Sequence, residues 1–218
     1  MKKMLCLHGY GMNSQWLQEW LWPIEQQLEG VVRFIHAQGP IVAPTEEVRA
    51  MAARFNAVLP ESRIGEGKNW CWYRADDAKP PIYHGIEASL AYLANIVATE
   101  GPVEGVLGWS QGAVMAAILA GESATIANSP FGLRWAILCG GFRPGDRRFR
   151  PYFDRPLALP TLHVLGEQES EFMRQQGHKL YASFVDAQRL DTPVGHIMPV
   201  KYPAYMKQIS AWIDNQVK

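Results

Sequence analysis

The chain has 218 residues, of which 48% are hydrophobic and 19% are charged. The 21 Lys and Arg side chains balance 21 Asp and Glu side chains, so the formal net charge is zero. That balance gives no reason to expect binding to nucleic acid or to an anionic membrane surface. The length and the apolar content predict a single globular domain over residues 1–218, with a sizeable core.

The start of the chain and its cysteines favour a soluble, cytoplasmic protein. The apolar part of MKKMLCLHGYGMN is too short for a signal peptide, and no apolar run approaches the roughly 18 residues of a membrane span. Cys6, Cys71 and Cys139 lack the C-x-x-C spacing of zinc and redox sites. Cys6 and Cys139 lie in apolar runs, which predicts buried thiols. We therefore expect a reduced protein with no membrane partner, no metal and no cofactor.

Hydrophobic periodicity predicts strands and helices that alternate along the chain. In chain order, the first half contains a strand over Lys3–Leu7, a helix from Asn13 or Ser14 to about Leu28, a strand over Val31–Ile35, a helix from Thr45 with Val48, Ala52 and Phe55 on its apolar face, and a helix over Gly85–Ala98. The second half contains strand Val103–Leu107, a helix that ends near Gly121, strands Arg134–Cys139 and Thr161–Leu165, helix Glu171–Phe184, strand Ala187–Leu190 and helix Pro199–Val217. Residues 56–83 and 140–160 show no clear period. The alternation predicts a parallel sheet with helices on both faces.

The stretch Val106–Gly121 contains the strongest local motif. Its pentapeptide Gly108-Trp109-Ser110-Gln111-Gly112 fits G-x-S-x-G, the nucleophile elbow between a strand and a helix. In such a turn the serine is held in a strained conformation, and side chains two residues to either side would collide. The N-terminus of the following helix points at the serine and can stabilise developing negative charge.

The match to G-x-S-x-G also has a less specific interpretation. A pattern with three fixed positions occurs by chance, and glycine-rich turns also exist only to close a turn. The strand–turn–helix context favours a catalytic Ser110. The HGYG turn after Leu7 follows another strand, so it falls at the same edge of the sheet, where ligands of open parallel sheets bind. A phosphate-binding turn is the alternative for HGYG, but no G-x-G-x-x-G follows.

Five blocks of residues, in the right order, resemble the FSH-type serine hydrolases, a branch of the α/β-hydrolases. They are LCLHGYGMN at 5–13, Trp72-Tyr73 with Asp76-Asp77 and GIEASL at 85–90, GVLGWSQGA at 105–113, CGGF at 139–142, and the segment from PTLHV at 160–164 through Gly166 to Gly195-His196 and Pro199. The resemblance spans nearly the whole chain. It implies a shortened α/β-hydrolase fold with about six parallel strands in the spatial order 2-1-3-4-5-6, flanked by helices on both faces.

The order of catalytic residues in the α/β-hydrolases is nucleophile, acid and then base. Only His163, His178 and His196 follow Ser110. His163 lies in an apolar strand, which predicts a buried structural residue, and His178 lies in mid-helix, where it is solvated. His196 follows the last strand in a loop beside Gly195, where the resemblance implies the base.

The acid is the position at which the chain departs from the family. The resemblance implies an aspartate in a G-x-x-D turn after the fifth strand, and Glu169 holds that position in Gly166-Glu167-Gln168-Glu169. A glutamate is one methylene longer but still accepts the imidazole N–H. Other carboxylates remain candidates for the acid, and an acidic loop that is merely solvated is a further alternative. These candidates are Glu167, Glu171, Asp191 and Asp146.

Two backbone N–H groups are expected to form an oxyanion hole. One belongs to Gln111, directly after the nucleophile, and the other is expected from the loop after the first strand, at Tyr10. His8 and Gly9 are then expected to shape that loop rather than to act on substrate.

The remaining candidates concern substrate binding. Trp70, Trp72 and Tyr73 form an aromatic cluster that either lines an apolar acyl pocket or packs in the core. We assign Trp72, Tyr73 and Trp109 to substrate binding as a prediction. The segment 142–155 carries five arginines, which are either a solvated loop or a site that recognises an anionic group such as a carboxylate or a phosphate.

Together these residues predict a serine hydrolase that cleaves a carboxylic ester or thioester of a small acyl substrate through an acyl-enzyme intermediate. One alternative is a ligand-binding protein without catalysis on the same scaffold, which the Glu-for-Asp change makes conceivable. Another is an acyltransferase that uses the same triad. The sequence fixes neither the acyl chain, nor the leaving group, nor the oligomeric state.

Overall fold

A computed structural model describes residues 1–54 and 60–218, with the backbone alone at residue 54. Its centre is a sheet of six parallel strands. These are β1 Lys2–Leu7, β2 Val32–Ala37, β3 Gly105–Trp109, β4 Trp135–Cys139, β5 Thr161–Gly166 and β6 Ala187–Thr192. The α-helices of the described residues are α1 Ser14–Gln27, α2 Thr45–Arg54, α3 Ile86–Glu100, α4 Gln111–Thr125, α5 Glu171–Tyr181 and α6 Pro203–Val217. Phe55, predicted on the face of α2, lies outside the described residues.

The strands lie in the order β2-β1-β3-β4-β5-β6, and every neighbouring pair is parallel. This confirms the order and the orientation that the resemblance implies. The strand order reverses at β1, which lies between β2 and β3. Leu7 pairs with Gly108 in the register of β1 and β3, so the HGYG turn and the G-x-S-x-G turn leave the sheet side by side.

Several element boundaries differ from the prediction, among them those of β3, β6 and α6. β3 begins at Gly105 rather than Val103 and continues to Trp109, because Trp109 pairs with Cys139 of β4. β6 extends past Leu190 to Thr192, where it pairs with Gly166. α6 begins at Pro203 rather than Pro199, because a proline fits the first turn of a helix but disfavours helical geometry in the residue before it.

Alternate side chains of the strands point to opposite faces, and each face is covered by helices. Met4, Cys6 and Leu107 pack with α1 and α6, whereas Leu5, Leu7 and Val106 pack with α3 and α4. Cys6, Cys71 and Cys139 are buried free thiols, which for Cys6 and Cys139 confirms the prediction. Burial raises the pKa of the Cys139 thiol, so it stays protonated and unreactive.

The helix α4 is buried on all sides over residues 111–121. A 3₁₀-helix over Arg147–Phe153 covers its outer side, where a Cβ at Gly121 would lie 2.8 Å from the Cβ of Tyr152. This explains why α4 is rich in alanine and lacks a polar face. The irregular segment 140–160 therefore carries a short helix that the sequence did not predict.

Two short antiparallel ribbons lie in the region between α1 and α3. Ile41–Val42 pairs with Trp70–Cys71, and Arg74–Ala75 pairs with Tyr83–His84. Strands of two residues are too short to leave a period in the sequence, so residues 60–83 gave no prediction of an element. Among the described residues, no helix combines the length and the apolarity that crossing a membrane requires.

Candidate active site

Ser110 lies at a sharp turn between β3 and α4. Its backbone has φ 54° and ψ −116°, a conformation that is strained for a residue with a side chain. A Cβ at Gly108 would collide with the carbonyl of Gly112, and a Cβ at Gly112 would collide with the carbonyls of Leu7 and His8. The predicted steric need for glycine at both positions is confirmed. The strain is sustained because Ser110 N–H donates to the carbonyl of Cys139 at 2.8 Å, at the edge of the sheet.

His196 lies in the loop between β6 and α6 and reaches the serine. Its Nε2 is 2.8 Å from Ser110 Oγ. The loop is brought in by Gly166 at the end of β5, where a Cβ would lie 2.5 Å from the carbonyl oxygen of Gly195 and 2.6 Å from that of Val194. Any side chain at Gly166 would therefore push the histidine loop away from the nucleophile.

Glu169 lies in the turn after β5, on the other side of the imidazole. Its Oε1 is 3.3 Å from His196 Nδ1, and the two side chains are only 6% and 8% exposed. The two loops are joined because Gln168 N–H donates to the carbonyl of Val194 at 3.0 Å, and its side-chain amide donates to the carbonyl of Pro193 at 3.0 Å. Nε2 therefore faces the serine while Nδ1 faces a carboxylate.

Gly140, directly after β4, packs against this histidine–glutamate pair. It has φ +56°, and a Cβ at this position would lie 3.2 Å from His196 Cε1 and 3.3 Å from Glu169 Oε1. A residue with a side chain would be strained here and would also press on both groups. The CGGF block contained this glycine, but the sequence alone did not connect it with the imidazole.

The other candidate carboxylates have different partners. Glu167 is exposed, Glu171 accepts a hydrogen bond from Gln175 at 3.1 Å, and Asp191 pairs with Arg189. Asp146 is buried, and the hydrogen bonds from Arg148 hold the pKa of its carboxyl at about 2.

The other two histidines after Ser110 lie away from it. His163 is buried within β5, where its Nε2 lies 3.1 Å from Thr161 Oγ1, and desolvation lowers its pKa to about 4. His178 is exposed on α5. The structure therefore brings only His196 of the three to the serine.

The two residues predicted to supply the oxyanion hole lie on segments next to the serine. Gln111 is the first residue of α4, and Tyr10 lies in the loop after β1. In the part of the chain that the structure describes, neither the Tyr10 N–H nor the Gln111 N–H donates to another protein group. This loop is close to the nucleophile, since a Cβ at Gly9 would lie 3.3 Å from the Cβ of Ser110.

His8 holds the loop after β1, as predicted. It is completely buried, its Nδ1–H donates to the carbonyl of Gly9 at 2.8 Å, and its Nε2 accepts from the N–H of Gly39 at 2.9 Å. Desolvation lowers the pKa of His8 to about 4, so the ring is neutral at pH 7. One ring nitrogen donates and the other accepts, which fixes a single tautomer.

The assignment of Trp72 and Tyr73 to a substrate pocket is wrong. Trp72 has no exposed surface and Tyr73 is 2% exposed, and the ring of Tyr73 stacks on that of Tyr83 with centroids 4.0 Å apart. The core alternative applies to both, because the ribbons of residues 70–84 fold them beneath the site. Trp70, the third member of the cluster, donates its backbone N–H to Met12 in the loop after β1, at 2.9 Å.

Trp109 is 8% exposed and contacts the imidazole rather than an open pocket. Its ring centroid is 5.1 Å from that of His196 and 5.0 Å from that of Trp20, whose ring plane is inclined at 89° to the indole of Trp109. Any Cβ at Gly9 would clash with the same indole. In this structure Trp109 is thus part of the wall that holds His196.

The arginine-rich segment is mostly engaged with the protein itself. Arg148 pairs with Asp146 and Glu87, and Arg143 donates to the carbonyl of Phe153 at 2.8 Å. These contacts hold the segment together and tie it to Glu87 of α3. Among the residues described, no group of three or more His, Cys, Asp or Glu side chains is arranged to hold a metal ion.

Comparisons with known proteins show the family of the chain. A model of the serine hydrolase (FSH1) family matches residues 1–208. The chain is 29% identical to the human esterase OVCA2 over 226 aligned positions, which cover 97% of each chain.

Solved structures share the fold at low sequence identity. A carboxylesterase from Bacillus cereus superposes with a TM-score of 0.62 at 17% identity, covering 99% of this chain and 88% of the other. SOBER1 from Arabidopsis thaliana superposes with a TM-score of 0.61 at 14% identity, covering 100% and 99%. At such identities the match shows the α/β-hydrolase fold.

Proposed function

The chain belongs to the FSH1 serine hydrolase family and is an esterase, and we propose that Ser110, His196 and Glu169 are its nucleophile, base and acid. One observation carries the proposal. His196 Nε2 lies 2.8 Å from Ser110 Oγ, while its Nδ1 faces the carboxylate of Glu169 at 3.3 Å. This is the arrangement by which a carboxylate holds one imidazole tautomer and the imidazole activates a serine.

The reaction begins when Ser110 Oγ attacks the carbonyl carbon and His196 Nε2 takes the hydroxyl proton. The resulting oxyanion is stabilised by the N–H groups of Tyr10 and Gln111. When the tetrahedral intermediate collapses, the bond to the leaving group breaks, and the imidazolium returns its proton to that group. Glu169 stabilises the imidazolium in between. Water then attacks the acyl-enzyme, with His196 again as base. The carboxylic acid product leaves, and the hydroxyl of Ser110 is restored.

We propose that the substrate is a small molecule with a carboxylic ester or thioester bond, that water is the acceptor, and that residues 1–218 act as one domain in the cytoplasm. The small-molecule substrate is supported by the contact of His196 Nε2 with Ser110 Oγ at 2.8 Å, at a serine that is partly exposed and therefore accessible. An ester and a thioester pass through the same tetrahedral oxyanion, so the triad serves both.

The test compares Ser110→Ala with Ser129→Ala, a control in the loop after α4. We expect Ser110→Ala to lose hydrolysis of p-nitrophenyl acetate by at least about 10⁴-fold with an unchanged circular dichroism spectrum, and Ser129→Ala to keep it. Turnover by a folded Ser110→Ala variant at the wild-type rate would contradict the mechanism. The same proteins are also assayed on p-nitrophenyl acetate and on an acetyl thioester, with release of the thiol measured for the latter. The two kcat/KM values then rank the ester bond and the thioester bond as substrates.

A further inference from the structure

We propose that Trp72 is a positioning residue that sets the distance between the two oxyanion donors, and this rests on the proposed function. The two donors belong to separate segments, Tyr10 to the loop after β1 and Gln111 to the start of α4. Trp72 is hydrogen-bonded to both segments, although it has no exposed surface and cannot reach a substrate.

Towards the loop after β1, the bond comes from the indole ring. Trp72 Nε1–H donates to the carbonyl of His8 at 2.8 Å, and the two ring centroids are 5.2 Å apart. His8 is two residues before Tyr10 and is itself fixed by its bonds to Gly9 and Gly39. The indole N–H therefore holds the backbone segment that leads directly to Tyr10, which carries the first donor.

Towards α4, the bonds run through the side chain of Gln111. Its Oε1 accepts from the Trp72 N–H at 2.8 Å, and its Nε2 donates to the carbonyl of Tyr73 at 2.8 Å. The remaining polar group of Trp72, its carbonyl, accepts from Ser89 Oγ at 2.5 Å on α3. All three polar groups of Trp72 are thus bonded, to three different elements.

This arrangement has a consequence for catalysis. A tetrahedral oxyanion needs both donors at about 2.7–3.1 Å, and a misplacement of about 1 Å can cost about 10²-fold in rate. The indole has only two side-chain torsions, and the side-chain amide of Gln111 is hydrogen-bonded at both its oxygen and its nitrogen, so the span from His8 to Gln111 has little freedom. A change at Trp72 is therefore expected to weaken binding of the transition state while leaving the binding of the ground state alone.

The test is Trp72→Phe, which keeps an aromatic ring but removes the indole donor. Trp135→Phe is the matched control, because Trp135 is 1% exposed in the core on the opposite face of the sheet. Its indole N–H has no hydrogen-bond partner among the described residues, so the substitution removes ring volume without removing a bond. Gln111→Met is the second variant, since it deletes both amide bonds but keeps the backbone N–H.

For Trp72→Phe we expect kcat on p-nitrophenyl acetate to fall about 10- to 100-fold, with KM within about twofold of wild type. The affinity for a phenylboronic acid, which forms a tetrahedral adduct with the serine, should fall by a similar factor. Gln111→Met should act in the same direction. The double variant should lose less activity than the product of the two single losses, because the bonds removed in the two variants hold the same two segments in place. Trp135→Phe should stay within about threefold of wild type.

The proposal is overturned if Trp72→Phe loses activity only in proportion to its unfolded fraction, if KM rises while kcat is kept, or if Trp135→Phe loses as much. If Trp72→Phe does not fold, Gln111→Met alone decides by the same readouts. Failure of the proposed function has a different signature, in which Ser110→Ala still hydrolyses the ester and phenylboronic acid does not inhibit the wild type. A wild type that is inhibited, together with an unaffected Trp72→Phe, overturns the positioning role alone.

Discussion

The two sides of Ser110 are built by different means. On the side of proton transfer, two side chains from two loops meet the serine, His196 at 2.8 Å and Glu169 behind it. On the oxyanion side, the candidate donors are two backbone N–H groups, those of Tyr10 and Gln111. The chemistry of the first side lies in the identity of its side chains, whereas that of the second lies in where the backbone runs.

The two sides are also held differently. The proton-transfer side depends on close approach, since Gly140 and Gly166 let the loops of Glu169 and His196 touch the ends of β4 and β5. The oxyanion side depends on buried hydrogen bonds made by residues that never reach the substrate, His8 and Trp72. Catalytic side chains can therefore be recognised one by one in a sequence, whereas a positioned backbone is recognised only from long-range contacts.

Among the variants that leave Ser110 and His196 in place, the largest effect is expected where the proton-transfer side loses its charge. Glu169→Gln keeps the size of the side chain but leaves no carboxylate for the imidazolium and no fixed tautomer. We expect kcat to fall by about 10² or more, given that the corresponding change in a serine protease triad costs about 10⁴.

Glu167→Gln is the matched control for that variant, because Glu167 lies two residues away in the same turn and is exposed. Its kcat should stay within about twofold of wild type. A Glu169→Gln variant with nearly full kcat would show that Ser110 and His196 act as a dyad or use another carboxylate. Asp146→Asn and Asp191→Asn, measured alongside, would identify a different acid.

A second prediction concerns acid stability on the oxyanion side. Burial lowers the pKa of His8 to about 4, against about 6.5 in an unfolded chain, so the unfolded state binds a proton that the folded state does not. Stability is therefore full above about pH 6.5 and falls as the pH is lowered towards 4, with a slope approaching about 1.4 kcal/mol per pH unit for this residue.

Urea unfolding between pH 7 and pH 5 measures this slope. His8→Gln should be less stable at pH 7 but should lose stability less steeply on acidification. His178→Gln is the control, since His178 is exposed. An unchanged slope in His8→Gln would argue that His8 is protonated in the folded protein, contrary to its two hydrogen bonds.

A smaller effect tests the close approach on the proton-transfer side. In Gly140→Ala the backbone of residue 140 has to keep φ +56°, and the new methyl group lies within 3.3 Å of both His196 and Glu169. We expect kcat to fall roughly 5- to 10-fold, because the pair must shift from the serine. Gly132→Ala has the same φ of +56° with nothing within 4 Å of the added Cβ, so it shares the strain without the contact. Equal kcat values for the two variants would contradict this account of Gly140.

The smallest effect is expected at the side chain of Tyr10. Its hydroxyl donates to Glu47 at 2.8 Å, and Glu47 in turn pairs with Arg74. Tyr10→Phe removes this bond and keeps the backbone N–H. Its kcat on p-nitrophenyl acetate should therefore change by no more than about threefold. A loss comparable to that of Glu169→Gln would assign the phenol, not the backbone, to the oxyanion side.

The sequence predicted the fold in the places where local rules decide the structure. Alternating periods predicted the parallel sheet, and the resemblance implied the order β2-β1-β3-β4-β5-β6, which the structure confirms. The limits of β3 were misplaced because the pairing of Trp109 with Cys139 is a tertiary contact, and the start of α6 was misplaced because the helix was extended past Pro203, which fits its first turn.

In the candidate site too, local sequence rules predicted some residues, whereas residues that depend on tertiary contacts were missed. Ser110 lies in a motif whose steric needs are local, and the resemblance singles out His196 among the three histidines that follow it, although the roles of both residues stay predictions until measured. Trp72 was misassigned because a tryptophan near a predicted site has the same sequence signal whether it lines a pocket or packs beneath one. Only contacts between distant parts of the chain separate these cases, such as those of Trp72 with His8, 64 residues away, and of His196 with Ser110, 86 residues away, and no local pattern records them.

The central claim is that Ser110 is the nucleophile, activated by His196. It is tested most directly by intact-protein mass spectrometry after reaction with a fluorophosphonate, followed by peptide mapping. We predict a single adduct on Ser110, no adduct in Ser110→Ala, and labelling of His196→Ala that is slower by at least about 10²-fold. An adduct on another residue, or a Ser110→Ala variant that is labelled as fast as wild type, would contradict the account.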